Sequence, residues 1–308
     1  MRELVVLGTA SQAPTRHRNH NGYLLRWDGT GVLFDPGEGT QRQMTLAHVA
    51  VSAVHRICVT HFHGDHCLGL PGVVQRLSLD AVDHPVEICY PAGGQIYVDR
   101  LLGASVFEVR ADVRLRPVHS AGTVDPGPPY ALVAERLDHG PETIGWRLVE
   151  PDGRTMMPDR LAAAGVSGPS VGELQRAGKV RSATGRVVHL HEMSVARPGQ
   201  VMAFVMDTGL CDGAFRLAER ADLLVCEATF AEADAALART YRHLTARQAA
   251  QIALESGARR LVITHFSQRY PDERRLLDEA RAVFPGVVAA HDLEHVPVPA
   301  RRPPLGDA

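Results

Sequence analysis

Six consecutive residues, His61-Phe62-His63-Gly64-Asp65-His66, carry four metal-ligand side chains in a window too short to form one face of a helix. They follow Arg56-Ile57-Cys58-Val59-Thr60, an apolar run that reads as a buried strand. The ligands are therefore expected on a loop just past the strand's C-terminal end. Such a loop lets imidazoles and a carboxylate converge on one point, or on two points a few ångströms apart. Structural zinc usually takes a closed shell of thiolates and imidazoles. A His-rich set with a carboxylate keeps positions open for water and substrate, which suits a catalytic site. A His-rich tag would be terminal and uninterrupted, whereas this run lies between a strand and the apolar segment Leu68 to Leu79.

The chain of 308 residues is the size of one large domain or two small ones, and a hydrophobic fraction of 45% supplies an ample core. No apolar run approaches the ~18 residues that span a membrane. Met1 to Leu7 reads as a short strand rather than a signal peptide, so a cytoplasmic location is expected. The five cysteines form no CxxC pair and suit small buried hydrophobes better than a disulfide framework. Cys67 directly follows the motif and is a further candidate ligand, although the His and Asp residues around it already suffice. A net charge of −2 lacks the global signature of a nucleic-acid binder but leaves room for a local basic patch.

Along the chain, strands are expected at Leu4–Leu7, Tyr23–Trp27, Val32–Asp35, Val86–Tyr90, Val106–Arg110, Ala131–Leu137 and Ile144–Val149. Later strands are expected at Val201–Met206, Leu223–Glu227, Leu261–Thr264 and Val287–Ala290. Helices are expected over Thr40–Ala53, after Gly72, over Thr245–Ser256 with Thr245 as N-cap and Gly257 as stop, and over Asp272–Phe284. Strands dominate early and alternate with helices late, which suggests a sheet-rich sandwich with outer helices. Residues 151–190 are rich in Gly and turn residues and offer little for a core, so they read as a protruding segment. The Pro-rich tail from Pro297 to Ala308 is expected to be disordered.

Three more candidate ligands sit just past strand-like runs: His139, Asp207 and His265. If those strand ends share one edge of a sandwich, two ions find ligands enough. His61, His63, His139 and a shared Asp207 would hold one; Asp65, His66, His265 and the same Asp207 the other. A bridging carboxylate suits ions about 3.5–4 Å apart. Taken singly, a His at a strand end is often merely solvated, and Asp207-Thr208-Gly209 is also an ordinary turn. His48, His55, His84 and His119 have no such context and are read as structural.

The run His61 to His66 matches the HxHxDH motif of the metallo-β-lactamase superfamily. More narrowly, the chain resembles the ribonuclease Z family of tRNA 3′-processing endonucleases. The resemblance rests on Asp35-Pro36-Gly37-Glu38-Gly39-Thr40-Gln41, His66 to Gly72, Leu137-Asp138-His139, Asp207-Thr208, His243-Leu244-Thr245 and Thr264 to Tyr270, in the family's order. It implies an α+β four-layer αββα sandwich over residues 1–297, with an inserted flexible arm at about 151–190 that clamps tRNA and a tail at 298–308. It implies the same seven ligands, two zinc ions and hydrolysis of tRNA precursors to a 3′-hydroxyl tRNA and a 5′-phosphate trailer. Asp65 would orient or deprotonate the attacking water, His243 would protonate the leaving 3′ oxygen, and Glu227 would orient His243. Arg269, and Arg176 and Lys179 on the arm, would contact substrate phosphates. A cytoplasmic homodimer is also implied. The arm departs from the family pattern in charge, with Glu173 and Gln175 flanking Leu174 where Lys is common. Two other readings stand beside this one: a general phosphodiesterase of the same fold acting on small or nonspecific substrates, and a binding protein that has lost catalysis.

Overall fold

The Val-, Leu- and Ile-rich runs form strands here because most are buried on both faces, where β-branched side chains pack well. The computed structural model describes residues 2–302. Its strands are β1 (Arg2–Gly8), β2 (Gly22–Trp27), β3 (Thr30–Phe34), β4 (Arg56–Cys58), β5 (Val86–Pro91) and β6 (Val113–Val118). Then come β7 (Gly122–Asp125), β8 (Ala131–Arg136), β9 (Ile144–Val149), β10 (Gly153–Met156), β11 (Lys179–Arg181), β12 (Val187–His189) and β13 (Ser194–Arg197). The last are β14 (Val201–Val205), β15 (Leu223–Glu227), β16 (Leu261–Thr264), β17 (Val287–Ala289) and β18 (His295–Pro297).

Two units result, one of residues 2–127, 131–148 and 201–299, the other of residues 128–130, 149–200 and 300–302. The first holds two seven-stranded sheets, ordered β18-β1-β2-β3-β4-β5-β6 and β17-β16-β15-β14-β9-β8-β7. Strands β3 to β6 run parallel, as do β14 to β17. The sheets meet through inward aromatics: Phe204 of β14 stacks on Phe34 of β3 with centroids 4.5 Å apart and meets Tyr23 of β2 edge-on at 5.3 Å. On the outer faces, Leu70, Val73 and Leu77 of one helix cover Val5, Leu33 and Ile57. Ala249, Ile252 and Ala253 of another cover Val205, Leu224 and Ile263. The architecture is the expected αββα sandwich. His61, His139, Asp207 and His265 each lie one to three residues past the C-terminal end of a strand.

Several expectations shift. The Thr40–Ala53 helix stops at Leu46, where His48 takes a left-handed backbone with φ 53, and a short 3₁₀ turn follows at Val51–Ala53. The helix expected over Asp272–Phe284 covers Arg274–Arg281. Val106–Arg110 forms no strand; Val106 and Val109 are exposed, and the edge strand is β6, whose arginines mask it as polar. Gly64–Cys67 is a single helical turn rather than loop, so Asp65 and His66 project from it while His61 and His63 precede it. The helix Ala246–Glu255 starts as expected: Thr245 Oγ1 accepts from Gln248 N and Gln248 Oε1 from Thr245 N, a capping box, and Gly257 at φ 67 ends it.

The second unit is wider than 151–190 and has a core the sequence did not suggest. Its β10–β13 ladder runs from Gly153↔Arg197 to Met156↔Ser194. Beyond that stem, helices Pro158–Ala163 and Pro169–Ala177 and the β11–β12 hairpin enclose Leu161, Val166, Leu174, Val180, Val188 and Met193. These apolar residues are too widely spaced to read as a period. Part of the tail expected to be disordered is also placed. Val298 is buried and donates its N–H to Arg2 O, and the Arg301 guanidinium pairs with the Glu150 carboxylate. Residues 303–308 lie outside the described residues.

Candidate metal centre

Asp207 stands at the middle of the cluster. Its Oδ2 lies 3.6 Å from His61 Nε2, 3.3 Å from His66 Nε2 and 3.7 Å from His139 Nε2, and its Oδ1 lies 3.2 Å from His265 Nε2. Asp65 Oδ2 is 3.4 Å from both His66 Nε2 and His265 Nε2 and receives the Gln12 N–H at 2.7 Å. His63 presents Nδ1, 2.9 Å from His61 Nε2 and 3.3 Å from His139 Nε2. Ligand atoms of His61, His63, His139 and Asp207 fall within 4.8 Å of one another, as do those of Asp65, His66 and His265. The seven residues named from the sequence therefore meet, and the geometry is compatible with a binuclear metal site.

Three observations fit metal to these residues. The buried Asp207 Oδ1 has no hydrogen-bond partner, although His265 Nε2 is near. A buried carboxylate oxygen is costly to leave unmatched. Imidazole nitrogens also crowd one another, which a shared cation would relieve. Third, four rings have their far nitrogens occupied. His61 Nδ1 meets Thr60 Oγ1 at 3.1 Å, His66 Nδ1 meets Asp35 Oδ2 at 2.8 Å, His139 Nδ1 meets Arg242 O at 3.1 Å and His265 Nδ1 meets Thr229 Oγ1 at 2.8 Å. This is how metal-binding imidazoles are usually oriented.

Charge follows burial and neighbours. Burial holds His61, His63 and His139 below the ordinary imidazole range, in the neutral form a metal needs. Burial also opposes charge on His66, but Asp207, Asp65 and Asp35 outweigh it and raise its pKa well above that range. For Asp65 and Asp207 burial pushes the carboxyl up, yet the facing histidines prevail and hold both well below the usual carboxylate range. Asp207 and His265 adopt left-handed backbones at φ 49 and 61, as does Asp35 at φ 42. Such conformations in non-Gly residues cost about 1–3 kcal/mol and cluster at functional sites.

His243 borders the cluster. Its Nδ1 lies 3.0 Å from Glu227 Oε1 and 3.1 Å from Oε2, which leaves Nε2 as its free nitrogen. Burial disfavours its charge, but Glu227 and Asp207 overcome this and push it up to about 9. Atoms of Asp207, His243 and His265 also fall within 4.8 Å of one another, so His243 is near enough to be a ligand in its own right. Glu227 is fully buried and also receives Thr208 N at 2.6 Å, Leu244 N at 3.1 Å and Thr229 Oγ1 at 2.6 Å.

The cluster opens into a pocket of about 770 Å³ whose walls include Ser11, Gln12, Leu68, Phe230, Tyr241 and Arg269. Arg269 is exposed at this pocket. Arg176 and Lys179 belong to the second unit, exposed in the helix Pro169–Ala177 and at the start of β11. Cys67 donates its thiol to His63 O at 3.2 Å and belongs to none of the groups of converging ligand atoms among the described residues. Thr60, Thr229 and Gln12 take part without having been singled out, and Asp35 was quoted only as the first residue of the Asp35 to Gln41 motif.

The αββα sandwich with this His and Asp cluster at its strand ends is the metallo-β-lactamase fold, and residues 15–155 match the family model described as Metallo-beta-lactamase superfamily. The chain is 58% identical to a ribonuclease Z of Nocardia farcinica over 98% of its own length and 99% of that protein's, and 43% identical to one of Chlamydia trachomatis over 94% and 95%. It therefore belongs to the ribonuclease Z family. The crystal structure of the short form of human tRNase Z superposes with a TM-score of 0.69 at 25% identity, covering 97% of this chain and 100% of that one.

Proposed function

We propose that this chain is a zinc-dependent endoribonuclease that removes the 3′ trailer from tRNA precursors, leaving a 3′-hydroxyl on the tRNA and a 5′-phosphate on the trailer. The observation that carries the reading is near-full-length similarity to ribonuclease Z together with a clustered ligand set. One ion would be held by His61, His63, His139 and Asp207, the other by Asp65, His66, His265 and the same Asp207. Zinc bound there supplies positive charge for the phosphoryl oxygens and acidity for a water.

The side chains account for the proton movements. Asp65 is fixed by the Gln12 N–H and stays ionised, so it can orient the attacking water and take its proton. His243 is anchored through Nδ1 on Glu227, which leaves Nε2 to donate to the departing 3′ oxygen. Arg269 at the pocket suits a phosphate of the substrate, and Arg176 and Lys179 suit the tRNA backbone. The family resemblance further supports a homodimer in the cytoplasm; sedimentation of the purified chain tests the dimer. Among the described residues no helix is long and apolar enough to cross a membrane.

The deciding experiment incubates the zinc-loaded chain with a 3′-extended tRNA and maps the cut, with bis(p-nitrophenyl) phosphate in parallel. A single cut after the discriminator base is expected. Cleavage of the small ester with no preference for the precursor would instead make the chain a general phosphodiesterase.

A further inference from the structure

Two of the groups behind the histidines are buried hydroxyls, whose single protons are already committed elsewhere. Thr60 Oγ1 donates to Asp35 Oδ2 at 2.7 Å and lies 3.1 Å from His61 Nδ1. Thr229 Oγ1 donates to Glu227 Oε2 at 2.6 Å and lies 2.8 Å from His265 Nδ1. The arrangements repeat each other, one at the end of β4 and the other at the ends of β15 and β16. In each, a fully buried carboxylate takes one imidazole directly, His66 on Asp35 at 2.8 Å and His243 on Glu227 at 3.0 Å. In each it reaches a second imidazole through a threonine.

A hydroxyl has one proton. Once that proton is committed to the carboxylate, the oxygen has only lone pairs to offer. The hydrogen between Thr60 and His61, and between Thr229 and His265, must then come from Nδ1 of the ring. A neutral imidazole that carries its proton on Nδ1 has its lone pair on Nε2. Those Nε2 atoms are the ones that face Asp207, at 3.6 Å and 3.2 Å.

The carboxylates are held still enough to impose this. Asp35 Oδ1 receives the Thr60 N–H at 2.7 Å, and Glu227 receives the N–H groups of Thr208 and Leu244. Thr60 is fully buried and Thr229 nearly so, which leaves little room for water to replace either hydroxyl. Thr229 Oγ1 also lies 3.5 Å from His243 Nδ1, but that ring is already taken by Glu227 at shorter range.

We propose that Thr60 and Thr229 are positioning residues that pass the hydrogen-bonding demand of Asp35 and Glu227 on to His61 and His265, fixing both rings in the Nδ1–H tautomer that offers Nε2 to a metal ion. The consequence for metal rests on the two-ion reading; the tautomer is a property of the chain itself. Threonine and valine share a shape, so Thr60→Val and Thr229→Val remove the hydroxyl without opening a cavity, whereas Thr→Ser keeps it.

The test is ¹⁵N-histidine NMR of the wild type and the four single variants, zinc-loaded and metal-free, with zinc retention measured against a competing chelator. The wild type and Ser variants should show His61 and His265 as Nδ1–H. Each Val variant should lose that signature at its own histidine in the metal-free chain. It should also bind one of its two zinc ions about 10–100-fold more weakly, the usual scale for loss of a group that orients a ligand. Val variants with wild-type tautomers and zinc affinity would overturn the proposal, as would Ser variants that restore neither. A tautomer change in chains that take up no zinc would sustain the relay and sink the two-ion reading, so the two fail separately.

Discussion

His243 is where metal binding and proton transfer can be told apart at the scale of one residue. Its Nδ1 is engaged by Glu227, and it lies beside the cluster rather than at its centre. His243→Ala should keep two zinc ions per chain by elemental analysis and slow precursor cleavage by about 10²-fold or more, as loss of a general acid does. Loss of an ion in this variant would show that His243 is a ligand. The seven metal-site candidates were readable because each is a His or Asp just past an apolar run, a pattern visible in one dimension. Thr60 and Thr229 were not, because a threonine's role depends on what it faces. Thr60 meets Asp35 from 25 residues away and Thr229 meets His265 from 36 residues away, and only the packed sheets create those pairs.

Elements carry the site through their ends. The His243-Leu244-Thr245 motif is explained by capping: Thr245 opens the helix Ala246–Glu255 two residues after the histidine, and its hydroxyl also donates to Glu232 Oε2 at 3.1 Å. Thr245→Ala should destabilise the fold by about 1 kcal/mol in urea denaturation, the usual cost of a lost N-cap, while Thr245→Ser stays near wild type. No difference between the two would mean that the cap contributes nothing. This helix was legible because its cap, apolar period and Gly stop agree. Edge strand β6 was missed because Arg114 and Arg116 interrupt its apolar pattern, and Arg116 is there for an ionic reason. Arg116 and Arg56 each reach Glu87 on the neighbouring strand at 2.6 Å. Burial pushes the Glu87 carboxyl up, but the two guanidinium groups outweigh it and hold its pKa below the ordinary value. A pKa depressed on folding gives stability that is complete above the unfolded value near ~4.3 and is lost as pH falls through the folded one. The stability difference between wild type and Glu87→Gln should therefore be present at neutral pH and vanish in acid. With solvent screening of this partly exposed group it should not exceed about 1 kcal/mol. Urea titrations of the metal-free proteins across pH check this; a difference that grows in acid would refute it.

At the scale of the whole molecule, the candidate ligands and the insertion are separable in sequence, since every candidate ligand lies in the first unit and residues 149–200 lie in the second. The insertion was legible as a segment but not as a folded one, because six scattered apolar residues make a core only after two helices and a hairpin bring them together. That core fixes where a deletion must fall. Removing 155–185 would cut into β10 and strand Val188 and Met193 without their partners. Replacing 157–193 with a short turn removes the whole cluster and keeps the β10–β13 stem, whose last pair is Met156↔Ser194. The excised stretch carries five basic residues, Arg160, Arg176, Lys179, Arg181 and Arg186, against the acidic Asp159, Glu173 and Glu192. A modest positive excess of this kind can meet phosphates, and binding built on phosphate contacts weakens as salt rises. The variant should therefore lose kcat/KM on the tRNA precursor by on the order of tenfold or more, and its remaining activity should depend less on salt than that of the wild type. Turnover of bis(p-nitrophenyl) phosphate should stay close to wild type, because that ester is too small to need contacts beyond the metal centre. Equal losses on both substrates, in a variant that is folded and carries its zinc, would mean that the insertion supports the active site itself. Undiminished precursor cleavage would mean that tRNA is gripped elsewhere, with Arg269 at the pocket the first residue to substitute.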